Sequence, residues 1–371
     1  MPCEKDRFAL NLKKLRKEKA LSQKKLAEIL GYSPKSVSKW ESGAALPPSE
    51  LLPDLARALG TDANGLFSFR GEPEYFLGID GGGTKTAFLL TDARGETVKT
   101  LALGACNPAS SGIGAALEIL LGGFGEVTSG IDPGKVSVHA GIAGISVGNS
   151  AQEIKSAFEM AGAARVSVSN DAKNIVSAGL GDGNGIVAIL GTGSVIIARR
   201  NKERQIGGYG HLIDDALSGS EIGRACLEAV LAEIDGWGEP TSLTRRTGRD
   251  GKALIKRLYA EGKKFAATLA PAVFECAAEG DAKAKEILSD NVRRFAAQLS
   301  GALKDFRGCE EPVKVILAGG ITKDADFFLP ELKERIVSPA PYEISLLDSK
   351  PVIGAVKLAG GTIKNKGEQI Q

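Results

Sequence analysis

The chain has 371 residues and a mass of 38.6 kDa, with 43% hydrophobic and 25% charged residues, which is the composition of an ordinary globular protein with two or three domains. No apolar run approaches the roughly 18 residues that a membrane span needs, and the start lacks the apolar core of a signal peptide, so we expect a cytoplasmic protein without a membrane partner. Its five cysteines show no C-x-x-C spacing, which argues against a zinc site or a disulfide framework.

The positive charge is concentrated at the N-terminal end. Residues 1–70 hold 13 Lys and Arg against 8 Asp and Glu, a net charge of +5, whereas the remainder holds 34 against 37, a net charge of −3. This imbalance predicts either a polyanion partner for the first segment or a solvated basic helix face.

The first seventy residues read as short helices. In "LSQKKLAEILG" Ser22 is a candidate N-cap, Ile29 is expected to face inward and Gly31 is a helix-ending glycine. Two later helices, in "PSELLPDLARALG" and "TDANGLFSF", have Ser49 and Asp62 as candidate caps. Two helices joined at a glycine, the second of them short and polar, predict a helix-turn-helix.

The exposed face of the third helix is the candidate DNA-binding surface. In "YSPKSVSKWESG" we expect Lys35, Ser36, Ser38 and Lys39 to be exposed, where they can reach bases and phosphates in a major groove. Residues 6–69 resemble the Cro/C1-type (Xre family) domain, and the resemblance implies that Gln23 also touches DNA. A helical bundle that makes only protein contacts is the alternative.

The next segment, "YFLGIDGGGTKTAFLLTDARGE", predicts a buried strand that ends in an acid and glycines, followed by two more strands. A glycine turn inside a hairpin excludes a Rossmann fingerprint, which opens a helix, and no Walker motif is present. Gly82, Gly83, Thr84 and Lys85 can still approach a polyphosphate, with Asp80 holding a hydrated Mg²⁺. A purely structural turn is the alternative reading.

A second unit of the same kind supports the phosphate reading. "GIVAILGTGSVIIARR" is another pair of strands around a turn of small residues, which implies a repeated half-domain with a nucleotide between the halves. Between the two units a strand in "ARVSVSND" is expected to end at Asp171 before a helix, and "VKVILAGGITK" ends a later strand in two glycines. The candidate residues of these turns are Gly191, Thr192, Gly193, Ser194, Gly319 and Gly320.

The motifs "DGGGTKT", "SNDA", "GTGS", "GGYGH" and "LAGG" resemble the actin/hexokinase/Hsp70-like ATPases. Within that superfamily residues 75–362 resemble the family that joins N-acetylglucosamine kinases with BadF/BadG/BcrA/BcrD-type ATPases. The expected fold is thus an all-α helix-turn-helix domain, 1–70, followed by an α/β actin-like ATPase fold of ribonuclease-H-like type. Its two half-domains, 74–182 and 183–371 with a helical insertion at about 244–310, would enclose a nucleotide cleft.

The resemblance assigns roles to the candidate residues. Asp171 is implied as the general base near the sugar hydroxyl, although a helix N-cap is a competing and compatible role. Thr192 and Ser194 are implied in phosphate binding, and Gly319 and Gly320 in adenosine binding. The implied sugar-contacting residues are Asn107, Gly207, Gly208, Tyr209, Asp171 and Asp215.

The chain departs from this pattern in one place. The kinases continue with a "GDEGS" element, where this chain has "IDDALSGSEIG". Asp215 keeps the aspartate, but Ala216 and Leu217 replace the acidic residue and a glycine. This change predicts an altered pocket or lost turnover.

The sequence therefore predicts a DNA-binding regulator that uses Mg²⁺ and ATP to phosphorylate an amino sugar, N-acetylglucosamine or a relative. A sensor without useful turnover is an alternative. A dehydratase-activator ATPase is another, although no paired cysteine motif is present for an iron–sulfur cluster. A homodimer is expected if DNA is bound, since one small domain offers few phosphate contacts.

Overall fold

The computed structural model describes residues 4–67, 72–146 and 148–363. The predicted boundary near residue 70 lies outside these ranges. None of the helices within them is long and apolar enough to cross a membrane.

The N-terminal region is a bundle of five helices around a core that includes Phe8, Leu26, Val37 and Trp40. The short turn between the second and third helices contains Gly31 at φ 70°, a left-handed conformation that favours glycine. The helices are α1 (Glu4–Glu18), α2 (Gln23–Leu30), α3 (Pro34–Glu41), α4 (Leu52–Leu59) and α5 (Ala63–Phe67).

Four predicted details of this bundle can be compared with the structure. Ser22 caps α2, and Asp62 accepts a hydrogen bond from Gly65 N at 2.7 Å in α5, so both predicted caps are confirmed. Ile29 is 51% exposed, so its predicted inward position is wrong; α2 buries a narrow stripe that does not include it. The predicted cap at Ser49 is also wrong, because a 3₁₀ turn, Ser49–Leu51, leads directly into α4.

The next region is a five-stranded mixed sheet in the order β3-β2-β1-β4-β5. The first three strands pair antiparallel through hairpins, and β4 and β5 add in parallel. The strands are β1 (Tyr75–Gly81), β2 (Thr86–Asp92), β3 (Thr97–Leu103), β4 (Val136–Ile142) and β5 (Arg165–Ser169). The helices are α6 (Pro108–Ser111), α7 (Ile113–Val127), α8 (Ser150–Met160) and α9 (Ala172–Leu180).

A second sheet repeats this topology in the order β10-β9-β6-β7-β8, again with three antiparallel strands and two added in parallel. The repeated α/β unit confirms the predicted fold, while the exact half-domain boundaries stay a prediction. The strands are β6 (Gly185–Leu190), β7 (Ser194–Arg200), β8 (Lys202–Ile206), β9 (Val313–Ala318) and β10 (Tyr342–Leu346). The helices are α10 (Gly219–Ile234), α11 (Ser242–Thr247), α12 (Gly251–Glu261), α13 (Lys263–Ala267), α14 (Ala270–Ala278), α15 (Ala282–Leu303), α16 (Ala325–Arg335) and α17 (Pro351–Leu358).

Helices α9 and α17 pack closely where the two sheets meet. α17 lies on β1 and β2, and α9 contacts α17, β4, β6 and β9. A Cβ on Gly354 of α17 would lie 1.9 Å from the carbonyl oxygen of Asn174, and one on Gly78 of β1 would lie 2.5 Å from the backbone N of Val356. These glycines let the backbones touch, so α9 is held between the sheets and its first residues lie at the candidate site.

Candidate functional site

The glycine turn after β1 presents backbone and a lysine to solvent. Gly82 N donates to the Lys85 carbonyl at 3.0 Å and closes the hairpin between β1 and β2. Gly83, Thr84 and Lys85 are all exposed, and a Cβ on Gly83 would meet nothing within 4 Å. The turn therefore offers open amides, a hydroxyl and a cation, as an anion site needs.

Asp80 lies in β1 just before this turn and is tied to α9. Its Oδ1 accepts a hydrogen bond of 2.8 Å from Nδ2 of Asn174. Burial raises the pKa of Asp80 and the charge of Asp171 raises it further, whereas Asn174 and Lys85 oppose the increase. A carboxylate in this position is a hard oxygen ligand of the kind that a divalent cation prefers.

Asp171 caps α9, two residues after β5 ends rather than at the strand end that the sequence predicted. Its Oδ1 accepts from Ala172 N at 3.1 Å, so Asp171 has the N-cap role at the start of the helix whose Asn174 contacts Asp80. Burial raises the pKa of Asp171. A carboxylate with a raised pKa accepts a proton more readily, which suits a general base.

Sequence reasoning missed Asn174, which is fully buried three residues after Asp171. Its Nδ2 also donates to the Ile79 carbonyl at 3.2 Å. A Cβ on Gly141 would lie 2.3 Å from this Nδ2, so the glycine leaves room for the Asn174 side chain. A signal was available: a polar residue at i+3 from Asp171 lies on the same helix face. Within the described ranges the Oδ1 of Asn174 has no hydrogen-bond partner.

The second turn, between β6 and β7, rests on the start of α10. Gly191 N donates to the Gly193 carbonyl at 2.9 Å, and Ser220 N donates to the Thr192 carbonyl at 3.0 Å. Thr192 is exposed. Gly319, at φ 105° after β9, abuts the end of β6, since a Cβ there would lie 2.3 Å from the Leu190 carbonyl oxygen. Gly320 is exposed beside it, so the "GTGS" and "AGG" segments adjoin.

Asp215 lies beneath the second turn. It is 3% exposed, and its Oδ1 accepts a hydrogen bond from Ser194 N at 3.2 Å. Burial raises its pKa, and Lys263 and His211 are near enough to oppose the increase. Among the described residues the Oδ2 of Asp215 has no partner.

The two substituted residues after Asp215 are buried in the hydrophobic core beside the second sheet. Ala216 and Leu217 are both 0% exposed and pack in that core. Leu217 has φ 59°, a left-handed conformation that glycine adopts without strain, and its N donates to Oδ1 of Asn291 at 3.1 Å. The substitutions therefore change the support under Asp215 and not a side chain on the open surface.

The predicted sugar-contacting residues lie on loops from both sheets. Asn107 caps α6 by accepting from Ala109 N at 3.0 Å, and a Cβ on Gly144 would lie 2.2 Å from its Oδ1. From the second sheet, Gly208 has φ 70° and Tyr209 is 67% exposed. An exposed aromatic ring of this kind can cover a ligand.

The helix-turn-helix has an ionic contact at its centre. Glu41 of α3 accepts 2.9 Å and 2.8 Å hydrogen bonds from Arg16 Nη2 and from Gln23 Nε2. Burial opposes ionisation of Glu41, yet the hydrogen bonds from Arg16 and Gln23 hold its pKa below the usual range. Gln23, the predicted DNA contact, is the first residue of α2, and its hydrogen bond to Glu41 orients its side chain.

Most of the predicted α3 surface is exposed. Lys35, Ser38 and Lys39 are exposed, whereas Ser36 is half-buried, with its Oγ 2.9 Å from Ser33 Oγ. The face is therefore basic and polar, as a nucleic-acid contact requires.

The family pattern of the BadF/BadG/BcrA/BcrD ATPases matches residues 77–359, and a helix-turn-helix pattern matches residues 12–66. The chain belongs to the BadF/BadG/BcrA/BcrD ATPase family. The matched residues include both sheets and the two helices α9 and α17.

Several proteins are similar to this family member. An N-acetylmuramic acid/N-acetylglucosamine kinase of Clostridium acetobutylicum is 26% identical over 301 residues, which is 77% of this chain and 98% of that one. The structure of a proposed N-acetylglucosamine kinase from Chromobacterium violaceum has a TM-score of 0.63 at 26% identity, over 77% of this chain and 99% of that one. A ROK family transcriptional regulator, homolog of E. coli MLC protein, shares the fold with a TM-score of 0.51 at 15% identity, over 96% of each chain.

Proposed function

We propose that this BadF/BadG/BcrA/BcrD family member is a DNA-binding transcriptional regulator whose ATPase-type domain phosphorylates an amino sugar, N-acetylglucosamine or a relative, with ATP. The observation that carries the proposal is the 2.8 Å hydrogen bond from Asn174 to Asp80, which joins the helix capped by Asp171 to the strand that ends in the exposed glycine turn. The kinases among its relatives support the substrate class.

In this proposal the two glycine turns bind the polyphosphate. Lys85 and the open amides at Gly83 contact it from the first sheet, and Thr192 and Ser194 contact it from the second. Gly319 and Gly320 leave bare backbone for the adenosine. Because phosphoryl transfer depends mainly on positioning and charge neutralisation, groups on both turns contribute without a covalent step.

Asp171 accepts the proton of the sugar hydroxyl as that oxygen attacks the γ-phosphorus; the bond from this phosphorus to the bridging oxygen breaks, and ADP leaves. Asn107, Gly208, Tyr209 and Asp215 bind the sugar. Asp80 fits Mg²⁺, because its carboxylate is a hard oxygen ligand at the start of the exposed glycine turn. Bound Mg²⁺ would supply positive charge against the polyphosphate.

The helix-turn-helix supplies the DNA-binding half of the proposal. Lys35, Ser38, Lys39 and Gln23 contact double-stranded DNA from α3 and the start of α2. The protein acts as a homodimer, so that two small domains reach paired half-sites. The effector of this regulator is the sugar or its phosphate.

The second candidate is a sensor that binds ATP and sugar without useful turnover. Ala216 and Leu217 favour it, because they replace the residues that the kinases have beneath this site, and Leu217 adopts a left-handed backbone conformation. The retained carboxylate of Asp171 favours the kinase.

Coupled ADP release tests the two candidates. The full chain with Mg²⁺-ATP is assayed against N-acetylglucosamine, N-acetylmuramic acid, glucosamine and glucose, with Asp171→Asn as the control. We expect turnover with an amino sugar that is lost in the control. Absence of turnover with every sugar, in a protein that still binds ATP, would favour the sensor.

A further inference from the structure

The hairpin of β7 and β8 holds both ends of α9 through three charged residues. At the start of the helix, Lys173 contacts Oε2 of Glu203 on β8. At its end, Arg199 Nη1 of β7 donates to the Gly181 carbonyl at 2.6 Å. We refer to Lys173, Arg199 and Glu203 as the hairpin clamp.

The two ends of the hairpin clamp are joined to each other. Nε and Nη2 of Arg199 donate to Oε1 of Glu203 at 3.1 Å and 2.9 Å, while Lys173 contacts the other carboxylate oxygen. Each Glu203 oxygen therefore has a cationic partner. The side chains of Arg199 and Glu203 are only 19% and 25% exposed, so this contact is better shielded than an ordinary surface ion pair.

The hairpin clamp connects two parts of the candidate site. The hairpin clamp contacts α9, which begins next to Asp171. Strand β7 begins at Ser194, in the turn that is proposed to bind phosphate. Strand β7 runs from the turn to Arg199, and α9 runs from Asp171 to the carbonyl that Arg199 contacts, so a shift of α9 along the hairpin would change the separation of base and phosphate. A misplacement of about 1 Å can reduce turnover by about 100-fold.

We propose that Lys173, Arg199 and Glu203 are positioning residues for phosphoryl transfer, which set the placement of Asp171 relative to the phosphate-binding turn. The inference rests on the proposed kinase function. None of the three residues contacts the sugar or ATP in this scheme. They act through α9 and the hairpin.

Steady-state kinetics of Glu203→Gln tests the inference. The substitution keeps the shape of the side chain and removes the charge that both cations share. We expect kcat to fall by about 10- to 100-fold while KM for ATP and for the sugar changes less than about 2-fold, since binding groups stay in place. Lys173→Arg keeps the cation and should retain most of kcat.

Two comparisons separate positioning from a general loss of stability. Glu261→Gln removes the acid of an exposed i,i+4 pair with Arg257 on α12 and should leave kcat unchanged. The double variant Lys173→Met with Glu203→Gln should be no slower than the slower single variant, because partners in one contact are not additive. Additive losses would overturn the inference.

The outcomes are distinguishable. If the wild-type protein phosphorylates a sugar and Glu203→Gln retains full kcat, the inference is overturned and the kinase function stands. A rise of KM by about 10- to 100-fold with unchanged kcat would likewise overturn the inference, because that result indicates lost binding. A wild-type protein without turnover would overturn the kinase function itself, and the positioning role with it.

Discussion

Nδ2 of Asn174 donates a 2.8 Å hydrogen bond to Oδ1 of Asp80, which joins the first turn of α9 to the end of β1. Asp171 lies at the start of the same helix and raises the pKa of Asp80 by its charge. The buried amide thus joins the helix that begins after Asp171 to the carboxylate of Asp80, and the protonation of the two carboxylates should control activity.

Asn174→Ala should move the acid limb of the activity profile to higher pH. The hydrogen bond from Asn174 lowers the pKa of Asp80, so its loss leaves burial and the Asp171 charge to raise that pKa further. Asp80 would then be protonated, and unable to hold Mg²⁺, at a higher pH than in the wild type. The measurement is kcat/KM for Mg²⁺-ATP against pH.

A control variant makes this result specific. Gln152→Ala removes an amide from an exposed i,i+4 hydrogen bond with Ser156 on α8 and should leave the profile unchanged. An unshifted acid limb in a folded Asn174→Ala protein would contradict the assigned role. The unfolding free energy of this variant should also fall by about 1–3 kcal/mol, because partners of the buried amide are left unsatisfied.

The buried pair of Arg16 and Glu41 should stabilise the helix-turn-helix in a pH-dependent way. The pKa of Glu41 is lowered in the folded protein, so its contribution is complete above the pKa of the unfolded chain and is lost as pH falls through the lower folded pKa. Arg16→Met should cost about 3 kcal/mol, because the buried carboxylate loses its charged partner.

Trp40 offers a local probe of this unfolding, since it is 4% exposed in the helix-turn-helix core. Urea unfolding is followed by its fluorescence in a Trp237→Phe background, which removes the second tryptophan of the chain. Arg57→Met breaks an exposed pair with Asp54 on α4 and should cost less than about 1 kcal/mol. Equal costs for the two variants would show that the buried pair has no special weight.

The sequence predicted much of this structure because its strongest signals are local. Glycines between apolar segments correctly located the turns between β1 and β2 and between β6 and β7, and Ser22 with Gly31 bounded α2 correctly. The features that the sequence did not predict depend on contacts between residues far apart in the chain. Asn174 contacts Asp80 across 94 positions, and Lys173 contacts Glu203 across 30. The spacing from Asp171 could have singled out Asn174 itself, but no local pattern identifies the partner of either residue.

The errors have the same physical origin. Ile29 fitted an apolar helix stripe, but the orientation of α2 is set by packing against α3 and α4, which leaves this side chain outside. Leucine rarely adopts the left-handed backbone of Leu217, so the residue itself predicts another conformation; only the glycine that the kinases have at this position indicated it, and the surrounding core holds the leucine there.

The α3 lysines should govern the salt dependence of DNA binding. Lys35→Ala and Lys39→Ala should each weaken binding to a duplex and reduce the slope of log affinity against log salt by about 1, because each removes one phosphate contact. Fluorescence anisotropy with a labelled random-sequence duplex at several salt concentrations measures both quantities. Lys283→Ala, on the distant helix α15, is the control, and equal slopes in all four proteins would count against this surface.

Leu217→Gly should be more stable than Leu217→Ala, although alanine is usually the less destabilising of the two substitutions. Both remove a fully buried side chain and leave a similar cavity, so both should be less stable than the wild type. Glycine adopts φ 59° without strain, whereas alanine is strained there by about 1–2 kcal/mol, so the glycine variant should be the more stable of the two. Urea unfolding of the full chain gives the difference. A more stable alanine variant would mean that the backbone relaxes out of the left-handed region, and that the segment beneath Asp215 adapts to the side chain it carries.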